Sequence, residues 1–199
     1  TFPFTIGGTA SRNFSSTNRV VINDNSSASP YPATISVINV GGTVTKVTAT
    51  ISNLSHTFPG DIDMLLVGPN GEKVMLMSDA GSTSAQHNPI SNVTLTFDAA
   101  AAAAISAPGP LVSGTYRPAN YAGLGSADSF PPPAPPIPYT NTDLSVFNGA
   151  SPNGVWSLYV VDDSSTDAGS FTGWSLSIQT SDPVVAPANL ILSAAGAPN

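Results

Sequence analysis

Residues Asn153 to Ile178, NGVWSLYVVDDSSTDAGSFTGWSLSI, decide the fold class. Trp156, Leu158 and Val160 alternate with Ser157 and Tyr159, and Trp174, Leu176 and Ile178 alternate with Ser175 and Ser177. Alternation with period two describes a strand with one buried and one wetter face. The stretch reads as a hairpin whose acidic turn holds Asp162, Asp163 and Asp167, with Gly169 and Gly173 behind them. Both tryptophans of the chain lie here, so these strands anchor the core.

The same pattern recurs outward from this stretch. Val20 to Ile22 is a short strand. Ile35 to Val40 and Val44 to Ile51 read as a hairpin across Gly41-Gly42, with Val47, Ala49 and Ile51 inward. Ile62 to Val67 is a strand closed by the turn Gly68-Pro69-Asn70-Gly71, and Val74 to Met77 follows it. Val93, Leu95 and Phe97 alternate cleanly, whereas Ala99 to Ala104 is too short to stand as a helix. Short strands at close spacing, without a long helix, predict an all-β sandwich of about eight or nine strands.

Three segments fall outside that frame. Residues 1–19 read as an N-terminal extension and 182–199 as a C-terminal tail around a sandwich of residues 20–181. Ser129 to Tyr139, SFPPPAPPIPY, reads as a stiff, exposed polyproline insertion.

Composition narrows the function classes. The chain has 199 residues, no cysteine, a formal net charge of -7, and only 9% charged residues. It is long enough to bury a core without staples, and thiol chemistry is excluded. An acidic surface argues against nucleic acid, whose phosphates demand a basic one, and favours cations as ligands. No apolar run approaches the roughly 18 residues of a membrane span. So low a charged fraction predicts a secreted or cell-surface protein, and a start at Thr1 rather than Met reads as a mature or excised segment whose signal peptide is gone or was not included.

Two blocks carry a family resemblance. The first is His56-Thr57-Phe58-Pro59-Gly60-Asp61-Ile62-Asp63-Met64-Leu65-Leu66-Val67-Gly68-Pro69-Asn70-Gly71. The second is Asn153-Gly154-Val155-Trp156-Ser157-Leu158-Tyr159-Val160-Val161-Asp162, continuing to Asp167-Ala168-Gly169 and Trp174-Ser175-Leu176. Over roughly residues 20–180 the chain resembles the P domain, or Homo B domain, that follows the catalytic domain of kexin- and furin-like proprotein convertases, in its bacterial secreted variety. Phe97-Asp98 and Gly114-Thr115-Tyr116-Arg117-Pro118 resemble the intervening segments of bacterial members. The resemblance implies a jelly-roll-like sandwich and a non-catalytic role, packing on and stabilising a subtilisin-like protease domain. The proline insertion and both terminal segments depart from the family pattern.

Catalysis finds no support in the residues. The chain has two histidines, and no serine lies in a G-x-S-x-G elbow. His56 is expected to be a hydrogen-bonding residue at a strand end, and His87 a solvated one. Calcium is the sharper expectation. Asp61 and Asp63 are two apart in an apparent strand and so share a face, the less buried one or the strand mouth. Asp79, Asp98, Asp162 and Asp163 each follow or end a strand. Ca²⁺ takes six to eight oxygens from carboxylates and loop carbonyls, which converging strand ends can supply. The competing expectation is that each aspartate caps its own turn, which Asp167 before Ala168-Gly169 fits best.

Two further functions stay open at this stage. Phe2-Phe4-Ile6 and Leu190-Ile191-Leu192 are strand-competent, so exchange of terminal strands between copies would make a fibre or lattice subunit. A carbohydrate-binding accessory domain would need exposed aromatics, for which Tyr116, Tyr121 and Tyr139 are the loop candidates.

Overall fold

The computed structural model describes residues 8–83, 85–121 and 128–182. The expectations placed on Phe2-Phe4-Ile6 and on the tail from Pro183 onward lie outside the described residues. The strands run β1 (Gly8–Ser16), β2 (Val20–Ile22), β3 (Ala33–Val37), β4 (Thr43–His56), β5 (Ile62–Val67) and β6 (Lys73–Ser78). They continue as β7 (Ile90–Asp98), β8 (Gly114–Tyr116), β9 (Ala119–Asn120), β10 (Gly154–Asp162), β11 (Gly169–Phe171) and β12 (Gly173–Asp182).

These twelve strands form two sheets, which makes the fold the expected β-sandwich. One sheet has five strands in the order β3-β10-β5-β6-β9. The other has seven: β1-β12-β4-β11-β2, with β7 on β4 and β8 on β7. Strands β11 and β12 act as one interrupted strand. β12 pairs with β4 from Thr43 to Ser52, and β11 pairs with Ser55 and His56. The surplus over eight or nine strands comes from such breaks and from two-to-three-residue pieces that carry no hydrophobic pattern.

Trp156 and Trp174 are each 1% exposed and face each other's sheet across one core. Ile51, Leu54, Met64, Leu66, Phe97 and Phe171 fill the space between them. The Trp156 indole donates to the Pro152 carbonyl at 2.9 Å, so its polar edge is satisfied inside that core.

The structure corrects four expectations. First, Asn153 to Ile178 is not a hairpin. β10 pairs with β3 and β5, whereas β11 and β12 pair with β4, β2 and β1. The acidic turn therefore crosses from one sheet to the other. Alternation reports which side chains are buried, not which strand lies alongside, and two strands facing across a core show the same pattern as two neighbours. Second, β3 and β4 are parted in the same way, with Gly41-Gly42 as the crossing. Third, residues 8–16 of the presumed extension form edge strand β1, paired with β12 over its whole length. Its polar, mostly exposed side chains hid it from a hydrophobicity reading.

Fourth, the proline insertion keeps its prolines largely exposed, with Ile137 74% exposed, but it is tied down on the sheet rather than standing off in solvent. Phe130 and Tyr139 turn inward and are 6% and 7% exposed. With Leu65, Met75, Tyr159 and Val161 they make a second apolar layer on the outer face of β5, β6 and β10. Four donors hold the prolines from below. The Tyr31 hydroxyl donates to Pro131 O (3.0 Å), Tyr159 to Pro133 O (3.2 Å) and Tyr139 to Pro135 O (2.7 Å). The Lys73 ammonium donates to Pro136 O. Burial, with the Tyr159 and Tyr139 phenols beside it, raises the Tyr31 pKa above the ordinary tyrosine range. The sheet under this strap is thus covered on both faces, which is why Met64 to Val67 and Val74 to Met77 read as unbroken apolar runs.

Gly169 of β11 lies against β4, where an added Cβ would overlap the Ser55 carbonyl oxygen and the His56 ring. Gly169→Ala is expected to cost about 1–3 kcal/mol, read as a lower denaturant midpoint at unchanged slope. An unchanged midpoint would contradict this packing.

Candidate metal centre

The two sequence blocks meet at one rim of the sandwich. His56 ends β4, and its Nδ1 accepts the Phe58 N–H at 3.2 Å. A neutral ring therefore carries its proton on Nε2, which stands 3.1 Å from Asp162 Oδ2. Both side chains are fully buried. Asp162 Oδ1 accepts from the Asn25 and Ser164 N–H groups, each at 3.2 Å. The Thr57 hydroxyl accepts the Ala168 N–H at 3.2 Å, and the Asp163 N–H donates to Asp61 O at 3.0 Å. Asp162 thereby pins the sheet-to-sheet crossing through Oδ1, while Oδ2 faces the His56 ring without a hydrogen bond. It follows the turn-capping expectation.

Asp61 does not share a strand face with Asp63. It ends the 3₁₀ turn Pro59–Asp61 before β5 and is 5% exposed. Burial, followed by the charges of Asp162, Asp167 and Asp163, pushes its carboxyl up to about 7. Asp98 lies elsewhere, where it accepts the Lys46 ammonium at 2.8 Å and the Ala100 N–H at 2.9 Å.

Among the described residues, Asp63, Asp79 and Asp128 bring carboxylate oxygens within 4.8 Å of one another. Asp63 lies on the outer face of β5, beside Leu65, and is 3% exposed because the strap covers that face. The less buried face expected for it is therefore a buried one. Asp79 follows β6 with φ of 53°, a left-handed turn that aspartate tolerates. Asp128 begins the proline strap. It was not singled out in the sequence, because no strand leads into it and it lies far along the chain from Asp63 and Asp79.

The hydrogen bonding at this group is incomplete. The buried Ser78 hydroxyl is 3.0 Å from Asp79 Oδ2 and 2.8 Å from Asp128 Oδ1, and it also bonds Asp63. One hydroxyl carries one proton, so it serves one carboxylate at a time. Asn120 supplies a second donor, Nδ2 to Asp128 Oδ2 at 2.7 Å. Asp63 Oδ2 is buried with no hydrogen-bond partner. Burial first, then the Asp128 and Asp163 charges, push the Asp63 carboxyl up to about 8. Asp163 stands alongside. Burial and the charges of Asp79, Asp162 and Asp128 push it up to about 6. Like charges gathered in a dry place need protons or a cation. All-oxygen donors of this kind fit a hard divalent cation such as Ca²⁺. Asp63, Asp79 and Asp128 would hold it, with Asp163 next to them.

The fold and this rim define a β-sandwich with a carboxylate cluster under an outer strap. No family model and no curated protein matches the chain. Among solved structures it is similar to a serine protease of Aeromonas sobria in complex with the chaperone ORF2. The TM-score is 0.42 and the identity 16%, over 90% of this chain and 28% of that one. The serine protease of Aeromonas sobria alone gives a TM-score of 0.38 and 15% identity over the same shares. The chain thus spans about a quarter of the length of those proteins.

The raised carboxyls give metal-free stability a definite sign. Each folded-state pKa lies above the ordinary value near ~4, so folding favours the neutral form. That contribution is complete below about pH 4 and is lost as pH rises through about 6, about 7 and about 8 for Asp163, Asp61 and Asp63. In chelator, Tm is expected to fall from about pH 5 to about pH 8, and Asp63→Asn is expected to flatten the fall and raise Tm at its alkaline end. A Tm that rises with pH in chelator would contradict this electrostatic account.

Proposed function

We propose that this chain is a non-catalytic, calcium-stabilised P-domain-like module that serves a protein partner, a subtilisin-like protease domain being the one the resemblance implies. The observation that carries the reading is that the two signature blocks, about a hundred residues apart in sequence, form one joint. His56 meets Asp162, Thr57 meets Ala168, and Gly169 packs on Ser55 and His56. This joint supports the reading, because the two blocks that carry the resemblance meet at it.

The non-catalytic part rests on the histidines. His56 is fully buried against Asp162, and His87 is an exposed residue edge-on to Phe58. The calcium part rests on Asp63, Asp79 and Asp128 and on the orphaned Asp63 oxygen. Secretion fits the low charge and the need of a modest-affinity calcium site for an extracellular level of the ion.

The carbohydrate-binding alternative is less well supported. The Tyr116, Tyr121 and Tyr139 hydroxyls donate to the Val112, Ile105 and Pro135 carbonyls. They serve loop structure and offer no row of free rings. The strand-exchanging subunit rests on terminal segments outside the described residues.

Saturating calcium is expected to raise Tm by several degrees over chelator, since a ligand at about 100 times Kd adds about 2.7 kcal/mol. A shift under about 1 °C would contradict a structural calcium site. For the partner, a subtilisin-like catalytic domain from the same gene or its neighbourhood would be expressed with and without this chain. Slower thermal inactivation in its company is expected, and equal rates would contradict the accessory role.

A further inference from the structure

The strap and the carboxylate cluster are one device. Asp128 opens the strap and Tyr139 closes it. A single side chain joins both ends: the Asn120 amide donates to Asp128 Oδ2 at 2.7 Å and to the Tyr139 carbonyl at 3.2 Å. Asn120 lies on β9, the two-residue edge strand beside Met77 and Ser78. The strap's start is therefore fixed through Asp128 to Ser78 and Asn120, with Asp79 and Asp63 alongside. Its middle is fixed only by hydrogen bonds from three tyrosines and a lysine, and by the side chains it buries.

We infer that a divalent cation, Ca²⁺ by its donor set, bridges Asp128 of the strap to Asp63 and Asp79 of the sandwich and so controls whether the strap covers the outer face of β5, β6 and β10. This rests on the calcium reading above and adds what the ion does. Without the cation, three carboxylates within 4.8 Å of one another repel. Asp128 is the member whose departure relieves the crowding, because Asp63 lies within β5 and Asp79 directly follows β6. Its leaving withdraws the Asn120 bond and loosens the lid over Leu65, Met75, Tyr159 and Val161. That face is apolar, so uncovering it exposes hydrophobic surface to water. With the cation bound, opposite charge holds Asp128 in place and the face stays covered.

The absence of cysteine makes the test direct. Met75→Cys places a single thiol under the strap, and Leu76→Cys places one on the opposite, inner face of the same strand. Both native side chains are 0% exposed. Reaction with a thiol reagent then reports strap opening at position 75 and opening of the whole sandwich at position 76. In chelator the thiol at 75 is expected to react at least about tenfold faster than that at 76, and calcium to remove the difference. Asp128→Asn should abolish the calcium response at 75. Binding of an apolar dye to the unsubstituted protein, well below its Tm, gives the same reading without a substitution: chelation should increase it. Equal rates at both positions in chelator, with unchanged dye binding, would overturn the strap inference while leaving calcium stabilisation intact. No calcium effect on either thiol or on Tm would overturn the calcium reading itself.

Discussion

A carboxylate buried in the outer layer of a sheet must be neutralised, and Asp63 is where this fold meets that requirement. It projects from β5 among Leu65, Met75 and Val161, beneath a proline strap, with one oxygen unpartnered. Removing it from water is costly unless a proton or a cation compensates. Neighbouring Asp79, Asp128 and Asp163 make the proton solution worse with rising pH, because each added charge opposes the next. A divalent cation reverses the sign of every one of these interactions. In the proposed arrangement the strap, the covered face and the stability of the rim depend on that compensation.

The two-layer sandwich was legible in the sequence because inward residues alternate over Val47–Ile51 of β4, Val93–Phe97 of β7, Trp156–Val160 of β10 and Trp174–Ile178 of β12. The pairing was not. Trp156 and Trp174 face one core from opposite sheets, and alternation alone cannot tell that arrangement from a hairpin. Edge strand β1 escaped because GTASRNFSS buries almost nothing. Its pairing with β12 is a matter of backbone hydrogen bonds, which any residue but proline can make.

The candidate site was half legible. Asp63, Asp79 and Asp163 follow from strand ends and chain direction. Asp61 and Asp162 belong to the joint with His56 and to the turns around it. Asp98 is held by Lys46. Asp128 needed the strap's path, and the exposed prolines gave no sign that Phe130 and Tyr139 at the two ends turn inward. The better signal lay in β5, β6 and β10. Unbroken runs such as Met64-Leu65-Leu66-Val67 and Leu158-Tyr159-Val160-Val161 mean that both faces of the sheet are covered. Something had to cover the second face, and Phe130 and Tyr139 bracket the segment that does.

The most direct measurement is a crystal structure of the chain grown with calcium. The account predicts a cation peak with oxygens of Asp63, Asp79 and Asp128 at about 2.3–2.6 Å. A structure in millimolar calcium with no ion among these three carboxylates would contradict it.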